Sequence, residues 1–236
     1  MEIFSKFVKA IKNFNLVNDG DKIAIGLSGG KDSLTLVDLF SKLKKTTIVD
    51  FDFVVITIDM FDGQYDFSKL EKFCSERGAE LHIVKTQIYD ILFNVRKETN
   101  PCSLCSTLRK GQLVNVAKSL GYNKIALGHH GDDFIETFFM SLTFESRLST
   151  FSPLSYLDRT KVYQIRPMIY IRENEIINYS KDFPIFDNPC PVDKHTKRQE
   201  IKDTLAEFEK INKDFRKNVL TALLDKSRHQ NFFKGE

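Results

Sequence analysis

Six consecutive residues, Ser28-Gly29-Gly30-Lys31-Asp32-Ser33, combine what a bound phosphate requires: backbone that can approach closely, a cation and hydroxyl groups. They follow an apolar run over residues 22–27, read as a buried strand, and precede residues 34–40, read as a helix. A glycine-rich turn in that position aims N–H groups at an anion, the helix adds its positive end, and Lys31 adds a formal charge. The spacing departs from the Walker A pattern, which places four residues between its first glycine and Gly-Lys. The plain alternative is a turn that only joins strand to helix.

Gly128-His129-His130-Gly131-Asp132-Asp133 ends another apolar run. In a doubly wound sheet ligands collect at the carboxyl ends of strands, so this segment and the first loop should face one crevice. Two carboxylates and two imidazoles there suit magnesium and nucleotide handling. Capping of the next helix by Asp132 or Asp133 is the competing reading. Asp59 ends a third apolar run and is open to the same pair of readings, an adenosine or magnesium contact or a simple cap.

Cys102-Ser103-Leu104-Cys105 places two thiols three residues apart at a helix start, and Cys190 lies later in a proline-framed segment, Asn188-Pro189-Cys190-Pro191. Three thiolates leave four-coordinate zinc one ligand short unless a histidine joins, whereas an iron-sulfur cubane can keep one iron open. Ordinary buried thiols are the third possibility. Cys74, beside Phe73 on an expected helix, reads as a structural apolar thiol. Arg109 and Lys110 follow Cys105 by one helical turn, so they either meet phosphates and a charged intermediate or form a solvated basic face.

The elements that must position these groups alternate along the chain. Ile3, Phe7, Ile11 and Phe14 mark an N-terminal helix that breaks at Asn18-Asp19-Gly20. Strands are expected over residues 22–27, 53–58, 80–84, 124–128 and 162–168. Helices are expected over 67–77, 106–120, 131–144 and 172–182. Apolar strands alternating with helices imply a doubly wound, parallel five-stranded α/β sheet covered on both faces. Residues 145–161 show no period and read as a long functional loop. Near the C-terminus Ile201, Leu205, Phe208, Ile211, Phe215, Val219 and Leu223 mark one amphipathic helix, with an interruption near Asn212. The expected division is an N-terminal helix over 1–20, a nucleotide domain over 21–185 carrying the C-x-x-C, and a cysteine loop with a helical extension over 186–236.

With 236 residues and 42% apolar composition the chain can bury one sizeable core, and disorder is excluded as a general description. Four cysteines are too few for a disulfide scaffold. No apolar run of membrane-spanning length occurs, and the first residues lack the zones of a secretory signal, so a cytoplasmic protein with no membrane partner is expected. A net charge of +3 is compatible with a polyanion but does not require one.

Taken in order, S-G-G-K-D-S, C-S-L-C-S-T-L-R-K-G, A-L-G-H-H-G-D-D, I-R-P-M and N-P-C-P resemble the tRNA 2-thiocytidine synthetase family (TtcA type) of the PP-loop ATP pyrophosphatases, from residue 3 to residue 230. The resemblance implies an ATP- and Mg2+-dependent tRNA sulfurtransferase that cuts ATP between its α- and β-phosphates. It assigns Leu27, Ser28, Gly29, Gly30, Lys31, Asp32, Ser33, Asp59, His129 and Asp133 to ATP. Lys31, Arg109 and Asp132 take catalytic roles, and Cys102, Cys105 and Cys190 hold a 4Fe-4S cluster. It implies tRNA, a sulfur donor (a cysteine desulfurase or sulfide) and a second copy in a homodimer as partners. Three departures are visible: Cys190 is followed by Pro191-Val192-Asp193 where the family carries a second C-x-x-C, residues 145–153 differ from the family's Gly-Gly and Met-Pro-Pro loop, and the family's basic N-terminal arm is nearly absent. A related iron-sulfur enzyme acting on another base or small molecule, and a nucleotide- or redox-sensing binding protein, are the alternative readings.

Overall fold

The computed structural model describes residues 2–98, 101–186 and 197–229. The chain divides into one unit of residues 1–129 and 152–190 and a second of residues 130–151 and 191–236. The first unit holds a sheet of β1 (Asp21–Gly26), β2 (Phe51–Asp59), β3 (Leu81–Lys85), β4 (Lys124–Ala126), β5 (Leu154–Leu157) and β6 (Val162–Ile165) in the order β3-β2-β1-β4-β6-β5. Every neighbouring pair is parallel except β5 with β6. The register aligns Ile25 with Val55 on one side and Ala126 on the other. The order reverses between β1 and β4, which puts the switch-point crevice beside the Gly-rich loop.

The expectation of five strands is corrected to six, because residues 145–161 are not a loop throughout. They contain β5, which turns back at Leu157 to pair with β6 and brings the Tyr156 and Tyr163 rings to 4.8 Å. Four residues of edge strand with an exposed Tyr156 give too short an alternation to register as a strand.

Strand alternation sends β2 side chains to both faces. Phe51 and Phe53 pack against Phe40 of α2 (Lys31–Lys44), the first edge-on and the second tilted, and Phe40 meets Phe7 of α1 (Glu2–Phe14) edge-on at 5.2 Å. Val54 and Ile56 pack instead with Leu113, Val114 and Ala117. α3 (Ser68–Ser75) and α4 (Ile88–Asp90) follow β2 and β3, and α4 runs into an unanticipated π-helical turn, Ile91–Val95. α5 is Pro101–Ser119. It starts five residues before the expected position, because Pro101 is a favourable first helical residue with no N–H to leave unpaired, and Cys102 and Cys105 therefore lie on its first turns. The helix expected over 172–182 is the shorter Glu173–Tyr179; in order along the chain it is α7, since α6 belongs to the second unit. Asp38 of α2 accepts bonds from Arg77 Nε at 2.7 Å and from the Tyr179 hydroxyl at 2.6 Å, fastening α7 and the end of α3 to α2.

The second unit comprises α6 (Gly131–Glu145), α8 (Lys197–Ile211) and α9 (Phe215–Leu224). The interruption expected near Asn212 falls there, so two helices carry the C-terminal apolar face. The chain breaks over Asn212, whose side-chain oxygen accepts from the Asp214 N–H at 3.0 Å, and Phe215 restarts the helix with its ring 4.9 Å from Phe208 and stacked on it. Asn and Asp compete with the helix for backbone groups in this way.

Candidate functional site

The Gly-rich loop is held open by its own hydroxyls. Ser33 Oγ donates to the Gly30 carbonyl at 3.0 Å and accepts from the Ser28 N–H at 3.1 Å, with Ser28 Oγ at 3.1 Å. The Leu27 N–H donates to Ile56 at 2.9 Å, and the Thr57 hydroxyl bonds the Leu27 carbonyl, so the loop leaves the sheet from a fixed point. Gly29 has φ +84°, and a β-carbon there would sit 2.6 Å from Phe186 Cβ. Glycine is required at this position on both counts. A β-carbon at Gly128 would press within 3.2 Å of the Asp32 and Ser33 backbone, so the end of β4 approaches the start of α2 closely.

Lys31 reaches Asp32 at 3.1 Å and Glu173 at 3.0 Å. Burial is the strongest single influence on its ammonium and pulls its pKa down, but the two carboxylates together outweigh it and hold the pKa above its usual value. The side chain is cationic and already positioned. All three side chains remain partly exposed, so an incoming phosphate can replace a carboxylate at modest cost.

A cavity of about 220 Å³ opens at the carboxyl ends of β1 and β2. Of the nominated residues it takes in Leu27, Ser28, Gly30, Asp59 and Arg109, and it adds Met60, Phe61, Tyr65, Phe67 and Phe186. Asp59 is buried and accepts from the Phe61 N–H at 2.9 Å and the Gly63 N–H at 2.6 Å. It shapes the turn that delivers these aromatics. Phe186 donates its N–H to the Gly29 carbonyl at 2.9 Å and stacks on Phe67 at 5.4 Å. The aromatic rim, suited to a flat ring, could not be read from sequence because its members come from segments more than a hundred residues apart.

On α5, Cys102, Cys105 and Arg109 follow at intervals of three and four, a single helical face. Cys102 is exposed and Cys105 partly so, while Cys74 is buried, its thiol pushed up to about 11 by burial, with Arg77 opposing weakly. That contrast matches a structural role for Cys74 and two accessible thiols suited to a soft metal. Cys190 lies outside the described residues, and among those no three metal-ligating side chains converge. The donor chemistry of α5 supplies two legs of a thiolate site, so the residues present fit a sulfur-rich metal group as far as they go.

In the second unit, His130 caps α6 in a reciprocal box with Asp133, whose carboxylate accepts the His130 N–H at 3.0 Å. Asp133 also receives Arg198 at 2.9 Å. Asp132 is buried and accepts from Arg216 at 3.1 Å, and the same guanidinium bonds Glu209 at 3.0 Å and lies 3.8 Å from Glu136. Burial pushes the Glu136 carboxyl up to about 7, Asp133 adds to the rise, and Lys202, Arg198 and Arg216 oppose it. The capping reading for Asp133 thus holds in the structure, and Arg216 is a partner that sequence alone did not single out. His129 ends the first unit, partly buried. Lys110 is exposed, and partial desolvation and the nearby Arg166 lower its pKa.

Residues 2–209 match the family model of a PP-loop domain. Similar proteins include the tRNA-cytidine(32) 2-sulfurtransferase of Citrifermentans bemidjiense, 37% identical over 220 residues, spanning 91% of this chain and 86% of the relative. The protein of the same description from Pseudomonas entomophila is 37% identical over 219 residues, spanning 91% and 80%. Among solved structures, the U34-tRNA thiolase NcsA from Methanococcus maripaludis with its 4Fe-4S cluster aligns with a TM-score of 0.76 at 25% identity, over 100% of this chain and 81% of that one. No helix among the described residues is long and apolar enough to cross a membrane.

Proposed function

The chain belongs to the tRNA-cytidine(32) 2-sulfurtransferase family of PP-loop proteins, and from that premise we propose that it is an ATP-dependent tRNA sulfurtransferase. It adenylylates the C2 oxygen of an anticodon-loop cytidine and replaces that oxygen with sulfur carried on a 4Fe-4S cluster. The observation that supports this reading most directly is that Arg109 lines the same cavity as Ser28 and Gly30 while standing one helical turn from Cys105. One helix therefore serves both the nucleotide and the thiols.

In this reading the C2 oxygen attacks the α-phosphorus and the bond to the β-phosphate breaks, releasing pyrophosphate. Ser28, Gly29, Gly30, Asp32 and Ser33 cradle the phosphates with backbone N–H groups and hydroxyls, with Mg2+ as counter-ion, while Leu27, whose N–H is held by Ile56, lines the nucleotide cavity. Lys31 transfers its ammonium from Asp32 and Glu173 to phosphate. Asp59 fixes the turn that holds the adenosine, and His129 and Asp133 complete the nucleotide contacts. Arg109 meets the negative charge of the intermediate, and Asp132, held by Arg216, is the acid that the family likeness assigns beside the reacting base. Cys102, Cys105 and Cys190 would hold the cluster, which when bound supplies sulfur as the nucleophile at C2. AMP then departs with the old oxygen. An unpaired base is required, which a tRNA loop presents.

The sulfur donor is a cysteine desulfurase or sulfide, the working state a cytoplasmic homodimer, and the functional divisions 1–20, 21–185 and 186–236. Mass spectrometry of tRNA nucleosides with and without the gene tests the function: 2-thiocytidine should vanish in the deletion strain. An unchanged thionucleoside profile would overturn it, and loss of a different thionucleoside would reassign the base.

A further inference from the structure

Met60 touches both halves of the proposed machinery. It lies immediately after β2 and lines the nucleotide cavity, and its sulfur is 3.4 Å from the Cys105 thiol on α5. It is buried at 8% exposure within an apolar set that includes Ile88, Leu92, Phe61, Phe93, Leu104 and Leu108. Its backbone is pinned as well, since the Met60 carbonyl accepts the Tyr89 N–H at 3.1 Å and the neighbouring Asp59 carboxylate holds the next turn. With main chain fixed and side chain enclosed, the flexible thioether is the part that must yield when the cavity fills. Arg109 marks the other point where the cavity reaches α5, one turn beyond Cys105. An occupant of the cavity thus acts on α5 at two adjacent turns, once through Arg109 and once through Met60.

We propose that Met60 is a positioning residue through which occupancy of the nucleotide cavity sets the packing, and hence the accessibility, of Cys105. Met60 touches no reacting atom. It acts through a cysteine, and in the holoenzyme it couples nucleotide binding to the surroundings of one cluster ligand. The inference rests on the nucleotide reading of the cavity. It requires differential contact between the filled and empty states, which the shared side chain provides.

The test uses the full chain, stripped of metal, in alkylation with iodoacetamide followed by peptide mass spectrometry, with and without Mg-ATP. Cys102, exposed and outside this apolar set, is the internal reference. Mg-ATP should change the Cys105 rate relative to Cys102 by about fivefold or more, the lower end of ordinary coupling between sites. In Met60→Ala the response should disappear at ATP concentrations that saturate the variant, with saturation established by equilibrium dialysis. Met60→Leu, which keeps most of the volume and removes the sulfur, should fold as the parent does and lose at least half of the response. The proposal is overturned if Cys105 ignores bound ATP in the parent protein, or if both variants respond as the parent does. Absence of ATP binding in the parent would instead remove the nucleotide reading, and dialysis distinguishes that failure from the first. With the cluster loaded, its visible absorption should shift on ATP addition in the parent and not in Met60→Ala.

Discussion

Two clusters of charge carry the nominated chemistry, and they are built to opposite ends. Around Lys31, at the start of α2 directly after Gly30, the partners Asp32 and Glu173 are, like Lys31 itself, partly exposed, each pair close to 3 Å. Around Asp132 the partners are enclosed: Arg216 at 7% exposure, Asp132 at 3% and Glu136 at 0%. Exposed pairs exchange partners for little free energy, whereas a buried pair that loses one member strands the other without water. The first arrangement suits a cation that must change hands during a reaction. The second fixes a carboxylate before anything binds.

The comparison breaks most visibly at Arg216. Arg216→Met removes the guanidinium from Asp132, Glu136 and Glu209 together, and chemical denaturation should report a loss of about 3–5 kcal/mol. A loss under 1 kcal/mol would mean that the second unit tolerates removal of the guanidinium from Asp132. Lys31→Met should behave in the opposite sense, lowering the single-turnover rate of ATP cleavage by about 10²-fold or more while stability changes by less than about 1 kcal/mol. A stability loss comparable to that of Arg216→Met would erase the distinction between the clusters.

Glu136 sharpens it further through pH. Its folded pKa of about 7 lies above the usual carboxylate value, so the folded state binds the extra proton and stability falls as pH rises from the unfolded pKa through the folded one. Thermal midpoints measured between about pH 5 and 8 should show that decline in the parent and a flatter profile in Glu136→Gln. The smallest effect belongs to Glu173→Gln. Freed of one competitor, Lys31 should bind phosphate slightly better, lowering the KM for ATP by about twofold or less with stability unchanged within about 0.5 kcal/mol.

Legibility in the sequence followed the range of the interactions. The loop from Ser28 to Ser33 is closed by bonds spanning five residues or fewer, so composition and spacing revealed it. The parallel direction of β1 to β4 followed from uninterrupted apolar runs between helical ones, whereas their spatial order did not. Arg216 reaches Asp132 across 84 residues, and one cation among the Lys and Arg residues of the C-terminal segment gives no hint of which is buried. Met60 was likewise not singled out, because its significance lies in α5 arriving beside it. β5 escaped notice for a different reason: its partner is the next strand, but four residues do not establish a period.

Gly29 and Phe186 share a constraint that bears on the order in which mutations can be accepted. Asparagine, the residue that otherwise best tolerates a left-handed backbone, has a β-carbon and would meet that of Phe186, and shortening residue 186 to alanine leaves the colliding atom in place. Relief requires glycine at one of the two sites. A library randomising both together should therefore return glycine at position 29 or 186 in nearly every clone that still binds nucleotide, an interdependence that single-site scanning of residue 186 would miss.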